Sequence, residues 1–191
     1  MLFSDRLSTQ EMMKGADRQA LLEALLYDFR KAFPDVTFEL RLEFPIVNAQ
    51  AIALADKRIV AIYGGLGLHP KLGSDALTFI ILHEAGHHLA DGCRSSFNPS
   101  LACECTSDHW AVTTGTTKLL QKSGRRLRLR VALGELDQVI GPRQPLKDRY
   151  TRFSGRISTY NCWAGGWSSR SRALFKRAQP PAAQGSCITH V

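Results

Sequence analysis

The sequence predicts an α+β domain, and three observations carry that expectation. An early stretch places apolar residues at helical spacing, the next stretches alternate or are β-branched, and a long apolar helix then holds His83, Glu84 and His87. With 191 residues, 44% hydrophobic and 22% charged, the chain is long enough to bury a sizeable core and is neither disordered nor fibrous in composition.

The elements follow in order. "ADRQALLEALLYDFRKAF" sets Leu22, Leu25, Leu26, Phe29 and Phe33 on one helical face, and Pro34 ends that helix. In "VTFELRLEF", Phe38, Leu40, Leu42 and Phe44 alternate with Glu39, Arg41 and Glu43, the pattern of a half-buried strand. "NAQAIALADKRIVAIYGG" reads as two short antiparallel strands around a turn at "ADKR", because Ile59, Val60 and Ile62 suit a pleated surface. "KLGSDALTFIILHEAGHHLADG" reads as a buried helix with Ser74 as N-cap and Gly92 at the C-terminal cap. After the loop "CRSSFNPS", a second helix is expected from about Leu101, and a third in "RRLRLRVALGELDQVI" beyond Gly124. "WSSRSRALFKRA" suggests a last short helix, and "QPPAAQGSCITHV" a loose tail. Residues 1–178 therefore read as a single domain and residues 179–191 as a tail, with no internal repeat.

Composition narrows the function classes. The N-terminus lacks the apolar core of a secretory signal, and no apolar run approaches the ~20 residues that span a bilayer. A soluble protein is expected, cytoplasmic, or periplasmic or secreted if a signal has been removed. The five cysteines, at 93, 103, 105, 162 and 187, are an odd number without repeating spacing, which argues against a complete disulfide framework. The net charge of +8 is uneven: residues 1–120 hold 11 basic and 14 acidic residues, residues 121–191 hold 14 and 3. A basic C-terminal part can bind nucleic acid or another anionic surface, but it contains no nucleic-acid module, so a solvated basic face is the preferred reading.

The chemistry concentrates in "HEAGHH". On a helix, residues i and i+4 share a face, so His83 and His87 can bind one cation through imidazole nitrogens. Glu84 is turned aside by one step, badly placed to ligate but able to hold a metal-bound water, which is the zinc peptidase arrangement. No charged residue separates Asp75 from the motif, unlike a chance surface helix. A catalytic zinc needs a third protein ligand. Glu104 lies near the start of the next helix and Asp108 one turn further on the same face, so Glu104 is expected to ligate and Asp108 to fix a ligand histidine's tautomer. Cys103, Cys105 and His109 are the competing ligands. His88 and His109 are each turned away from their neighbours' face, which suits packing, and His69 and His190 join no constellation.

From about Asn48 to Tyr160 the chain resembles the gluzincin metallopeptidases, in the group of the CaaX prenyl endopeptidases, bacterial heat-shock membrane proteases and their small soluble relatives. "NAQAIA" resembles that family's NAfA strand, "IVAIYGGL" its edge strand and turn, and "ECTSDHWA" its ExxxDxxA helix. The resemblance implies a zincin-like fold: a small, mainly antiparallel sheet over an active-site helix, with a second helix bearing the third ligand. It implies a zinc-dependent endopeptidase in which Glu84 activates a zinc-bound water, and an edge strand near Ala61 to Gly65 that holds an extended peptide or protein substrate by strand addition. It also implies oxyanion donors in "DRYTRFSGR", where Asp148 and Arg156 keep the family spacing and Tyr150 stands in place of a histidine. The transmembrane helices of the membrane proteases are absent, so prenylated substrates are not implied. The alternative is a non-catalytic, zinc-stabilised module whose basic C-terminal part binds nucleic acid or an anionic surface.

Overall fold

The computed structural model describes residues 2–6, 16–95 and 98–140. Asp148, Tyr150, Arg156, the last expected helix, the tail and the boundary at 178 lie outside the described residues.

Strand β1 (Leu2–Arg6) is followed by helix α1 (Ala16–Ala32), strands β2 (Thr37–Arg41), β3 (Ile46–Leu54) and β4 (Lys57–Tyr63), and a one-turn helix α2 (Gly64–Gly67). Then come helices α3 (Ser74–Leu89) and α4 (Glu104–Trp110), a π-helical turn (Ala111–Gly115), and helices α5 (Thr116–Ser123) and α6 (Leu129–Ile140). The α+β class is as expected. The four strands lie in the order β1-β3-β4-β2. β3 and β4 form the expected antiparallel hairpin, with Leu54 opposite Lys57, and Ala55 takes a positive φ of 52° in its two-residue loop. The sheet is mixed, because β2 runs parallel to β4 from Thr37 opposite Ile59 to Arg41 opposite Tyr63.

That order corrects one expectation. β4 is an interior strand, paired with β3 on one side and β2 on the other, so Ala61 to Tyr63 have no free edge for a substrate. Gly64 and Gly65 are not strand either. They form α2, where an added Cβ at Gly64 would stand 2.2 Å from the Leu42 carbonyl oxygen and at Gly65 2.5 Å from the Ile46 carbonyl carbon. Glycine is what lets the chain turn this tightly beside two backbones. The alternating strand is also shorter than its pattern: Leu42 to Phe44 leave the sheet in a turn, with Phe44 exposed.

The helical face read from α1 is the core face, with Leu22, Leu25, Leu26, Phe29 and Phe33 all buried. Phe29 packs against Phe38 of β2 at 5.4 Å between ring centroids, and Phe33 against Trp110 at 5.5 Å. Helix α3 lies between the sheet and the remaining helices, and every residue from Asp75 to His88 is buried. A helix apolar on all sides belongs in that position.

The ends of α3 are held differently from the sequence expectation. Gly73 is the N-cap and offers no side chain, so Glu135 of α6 takes the role: its Oε2 accepts hydrogen bonds from the Gly73 N–H at 2.8 Å and the Ala76 N–H at 3.4 Å. A carboxylate there also complements the helix dipole. Arg128 pairs with Asp75 at 2.7 Å, and Arg18 of α1 donates to the carbonyls of Gly67, His69 and Leu72. At the other end the helix stops at Leu89 with Ala90 as its cap, and Gly92, at φ 127°, lies two residues further on. The second helix begins at Glu104 rather than Leu101, because residues 93 to 95 and 101 to 103 pair as a short antiparallel bridge first. Among the described residues no helix is long and apolar enough to cross a membrane.

Candidate metal centre

His83, Glu84 and His87 stand on the buried helix α3, at 0%, 2% and 7% exposure, and each offers one ligand atom within 4.8 Å of the others. Such a group can hold a metal ion. The sharper observation is the direction of the imidazoles. His83 Nδ1 lies 2.5 Å from Asp108 Oδ1, and His87 Nδ1 lies 2.7 Å from the Ala102 carbonyl oxygen. A carboxylate and a carbonyl can only accept, so both Nδ1 atoms carry the proton and donate it. Both Nε2 atoms turn away from these acceptors and face each other across 3.1 Å. Two lone pairs at that distance repel unless a cation or a proton lies between them. Burial, and then the neighbouring His83, push His87 down to about 4, so near neutral pH it does not supply that proton.

Glu104, the first residue of α4, brings its carboxylate to the same place, Oε2 3.3 Å from His83 Nε2 and Oε1 3.8 Å from His87 Nε2. Its side chain is 43% exposed, so it closes the centre from the solvent side. Glu84 is held from the sheet. Its Oε2 accepts the Ala51 N–H of β3 at 2.8 Å, while its buried Oε1 has no protein partner. A buried carboxylate oxygen without a donor is costly, and one beside a convergent ligand set is the position for a group that arrives with the reaction.

The crossing of α3 and α4 depends on Gly86. A Cβ there would stand 2.8 Å from the Ser107 carbonyl oxygen and 3.0 Å from its Cα. Both contacts are backbone, so α4 itself would have to move, and Asp108 is the next residue along it. Gly86→Ala is expected to destabilise the chain by about 1–2 kcal/mol, as overpacking outweighs the ~1 kcal/mol helix-propensity gain. It is also expected to weaken metal affinity about 10-fold by loosening the Asp108 contact. Denaturant melts and metal titration check this, and a variant that is as stable as the parent and binds metal equally well would count against it.

His83, Glu84 and His87 form one group, Glu104 approaches both Nε2 atoms, and Asp108 stands behind His83 at Nδ1. His88 does not join them; its Nε2–H donates to the Ile59 carbonyl at 2.9 Å and ties α3 to β4. His69 Nδ1 instead accepts the Lys71 N–H, and Cys103 Sγ lies 3.2 Å from Thr106 Oγ1. Two partners are invisible in the sequence, the Ala102 carbonyl and the Ala51 N–H, since a backbone group leaves no residue-type signal. Compared with protein-family models, curated proteins and solved structures, the chain matches none.

Proposed function

We propose that the chain is a zinc-dependent endopeptidase of gluzincin type. One observation carries the reading: two imidazoles, held at Nδ1 by Asp108 and the Ala102 carbonyl, turn their Nε2 atoms to one point beside the buried Glu84 carboxylate, one oxygen of which has no partner. Tetrahedral zinc with Zn–N near 2.0–2.1 Å sets neighbouring donor atoms roughly 3.3 Å apart. The separations here are 3.1 Å between the imidazole nitrogens, 3.3 Å from His83 to Glu104 and a longer 3.8 Å from His87 to Glu104, a donor set that converges on one small cation. His83, His87 and Glu104 would hold the ion.

Zinc, when bound, acts as a Lewis acid that acidifies a coordinated water and polarises a carbonyl. Glu84 supplies the proton chemistry: Oε1 takes the proton of the attacking water, and the same carboxyl returns it to the departing amine. Its other oxygen is anchored by Ala51 N–H, so the acceptor is already aimed. Asp108 and the Ala102 carbonyl keep the imidazoles in the ligating tautomer.

The substrate edge belongs to β3. On the side away from β4, β1 pairs with β3 only at Ile46 and Asn48, and the Ala51 N–H on that side reaches Glu84. An extended peptide added along Gln50 to Leu54 would lie beside the carboxylate. Arg156, with Tyr150 near it in sequence, remains the donor that the family resemblance offers for the oxyanion. A non-catalytic zinc module would give the unpartnered Glu84 oxygen no task.

Metal analysis of the purified chain should find about one zinc. Digestion of an unfolded protein such as casein should stop when a chelator removes it and return when zinc is restored. Undiminished hydrolysis by metal-free protein would overturn the reading.

A further inference from the structure

The chemistry above uses none of the cysteines, yet two of them are placed for a reaction of their own. Beyond α3 the chain doubles back through an antiparallel bridge between Arg94 and Ala102. Ser95 N–H donates to the Leu101 carbonyl at 2.9 Å, and Cys103 N–H to the Cys93 carbonyl at 2.8 Å. This register sets Cys93 directly opposite Cys103, and residues directly opposite in an antiparallel pair project from the same face. Their Cα atoms in such a hydrogen-bonded pair stand about 5.5 Å apart, inside the ~4.4–6.8 Å that a disulfide spans. Both thiols are free, Cys93 exposed and Cys103 half-buried. The two side chains interact directly, and that contact, with burial, pushes Cys93 up to about 11.

We propose that Cys93 and Cys103 form a reversible disulfide when the chain meets a small disulfide oxidant such as oxidised glutathione. One cysteine attacks the oxidant's disulfide as its thiolate, forming a mixed disulfide and releasing one glutathione thiol. The second then attacks the protein-side sulfur of that mixed disulfide and expels the other glutathione. Two protein thiols are oxidised by two electrons, one glutathione disulfide becomes two thiols, and the cysteine protons end on them. Cys93 is the more exposed of the two thiols and Cys103 faces it across the bridge, so whichever sulfur takes up glutathione has the other beside it to resolve the mixed disulfide.

The place of the bond gives it a consequence. Cys103 sits between Ala102, whose carbonyl holds His87 and whose N–H donates to the His87 carbonyl at 2.7 Å, and Glu104. A covalent tie at Cys103 pins the segment that carries both. The importance of that pinning to a metal rests on the zinc reading, whereas the bond itself does not.

The test incubates the full chain with oxidised glutathione, maps disulfide-linked peptides by mass spectrometry, and compares melting temperatures. One linkage, Cys93 to Cys103, is expected, with a Tm rise of roughly 5–10 °C for a closed loop of this length in a chain of this size. Both should be reversed by dithiothreitol, persist in Cys105→Ser and vanish in Cys93→Ser. Linkage to Cys105, Cys162 or Cys187 instead, glutathione remaining attached to Cys93, or a lowered Tm would each overturn the proposal. None of these outcomes depends on whether the chain hydrolyses peptides, so the proposal and the peptidase reading can fail separately.

Discussion

On the proposed zinc-peptidase reading, Glu84→Gln is expected to keep the metal and lose hydrolysis, with kcat falling about 10²–10⁴-fold, the usual contribution of a positioned general base. The substitution preserves volume. The carbonyl of the introduced amide can still accept the Ala51 N–H that now reaches Glu84 Oε2 at 2.8 Å, so the side chain stays anchored to β3. What changes is the unpartnered Oε1, replaced by an amide nitrogen that cannot take a proton. Metal content should not fall, because the two Nε2 atoms are aimed by Asp108 and the Ala102 carbonyl and not by Glu84. Stability supplies a second, opposite signature. A carboxylate at 2% exposure with one oxygen unpaired is a folding cost, so the metal-free variant should be at least as stable as the metal-free parent. Metal analysis, peptide turnover and denaturant melts on the same preparation measure all three. Turnover at the parent's rate would remove Glu84 from the mechanism.

The sequence makes the centre legible because its parts are local. HExxH needs only one helix, and the i, i+4 rule sets its face without knowledge of the fold. Glu104 and Asp108 are legible for the same reason on the next helix. The crossing that joins the two helices is not, since it depends on Gly86 meeting the Ser107 backbone, and a glycine within a helix reads only as a weak helix former. The core face of α1 is readable because five large apolar residues recur at helical spacing. Strand order is harder. The alternation in β2 and the β-branched run of β4 each say "strand" but carry no information about neighbours; the edge position for β4 comes from the family resemblance alone, and β4 lies inside. β1 escapes sequence reasoning altogether: "LFSDR" is a short polar stretch, made a strand by its pairing with β3. The N-terminus of α3 shows the same limit, because its cap comes from Glu135, 62 residues away in sequence.

The comparison of Glu104→Ala with Asp108→Ala tests the proposed roles of a ligand and of the residue that aims one. Glu104 is 43% exposed at the first position of α4, and its oxygens approach both imidazole nitrogens at 3.3 and 3.8 Å. Its side chain is open to solvent on one side. Metal-free Glu104→Ala should therefore fold with stability within ~0.5 kcal/mol of the parent, as surface substitutions usually do. Its metal affinity should fall by more than about 100-fold, beyond the range of outer-shell partners, and hydrolysis should be lost with it. Asp108 is 1% exposed and accepts the His83 Nδ1 proton at 2.5 Å. Asp108→Ala leaves that buried N–H without its acceptor, which costs about 1–3 kcal/mol even in the metal-free chain, and weakens metal binding by ~10–100-fold because the tautomer is no longer fixed. The two variants thus differ in which property moves more: affinity without stability for the ligand, both for the positioning residue. Competition against a chromophoric chelator gives the affinities, and denaturant melts of metal-free protein give the stabilities. If Glu104→Ala binds metal as the parent does while an X-ray absorption edge shows sulfur around the ion, the third ligand is Cys103 or Cys105 and the role assigned to Glu104 is lost.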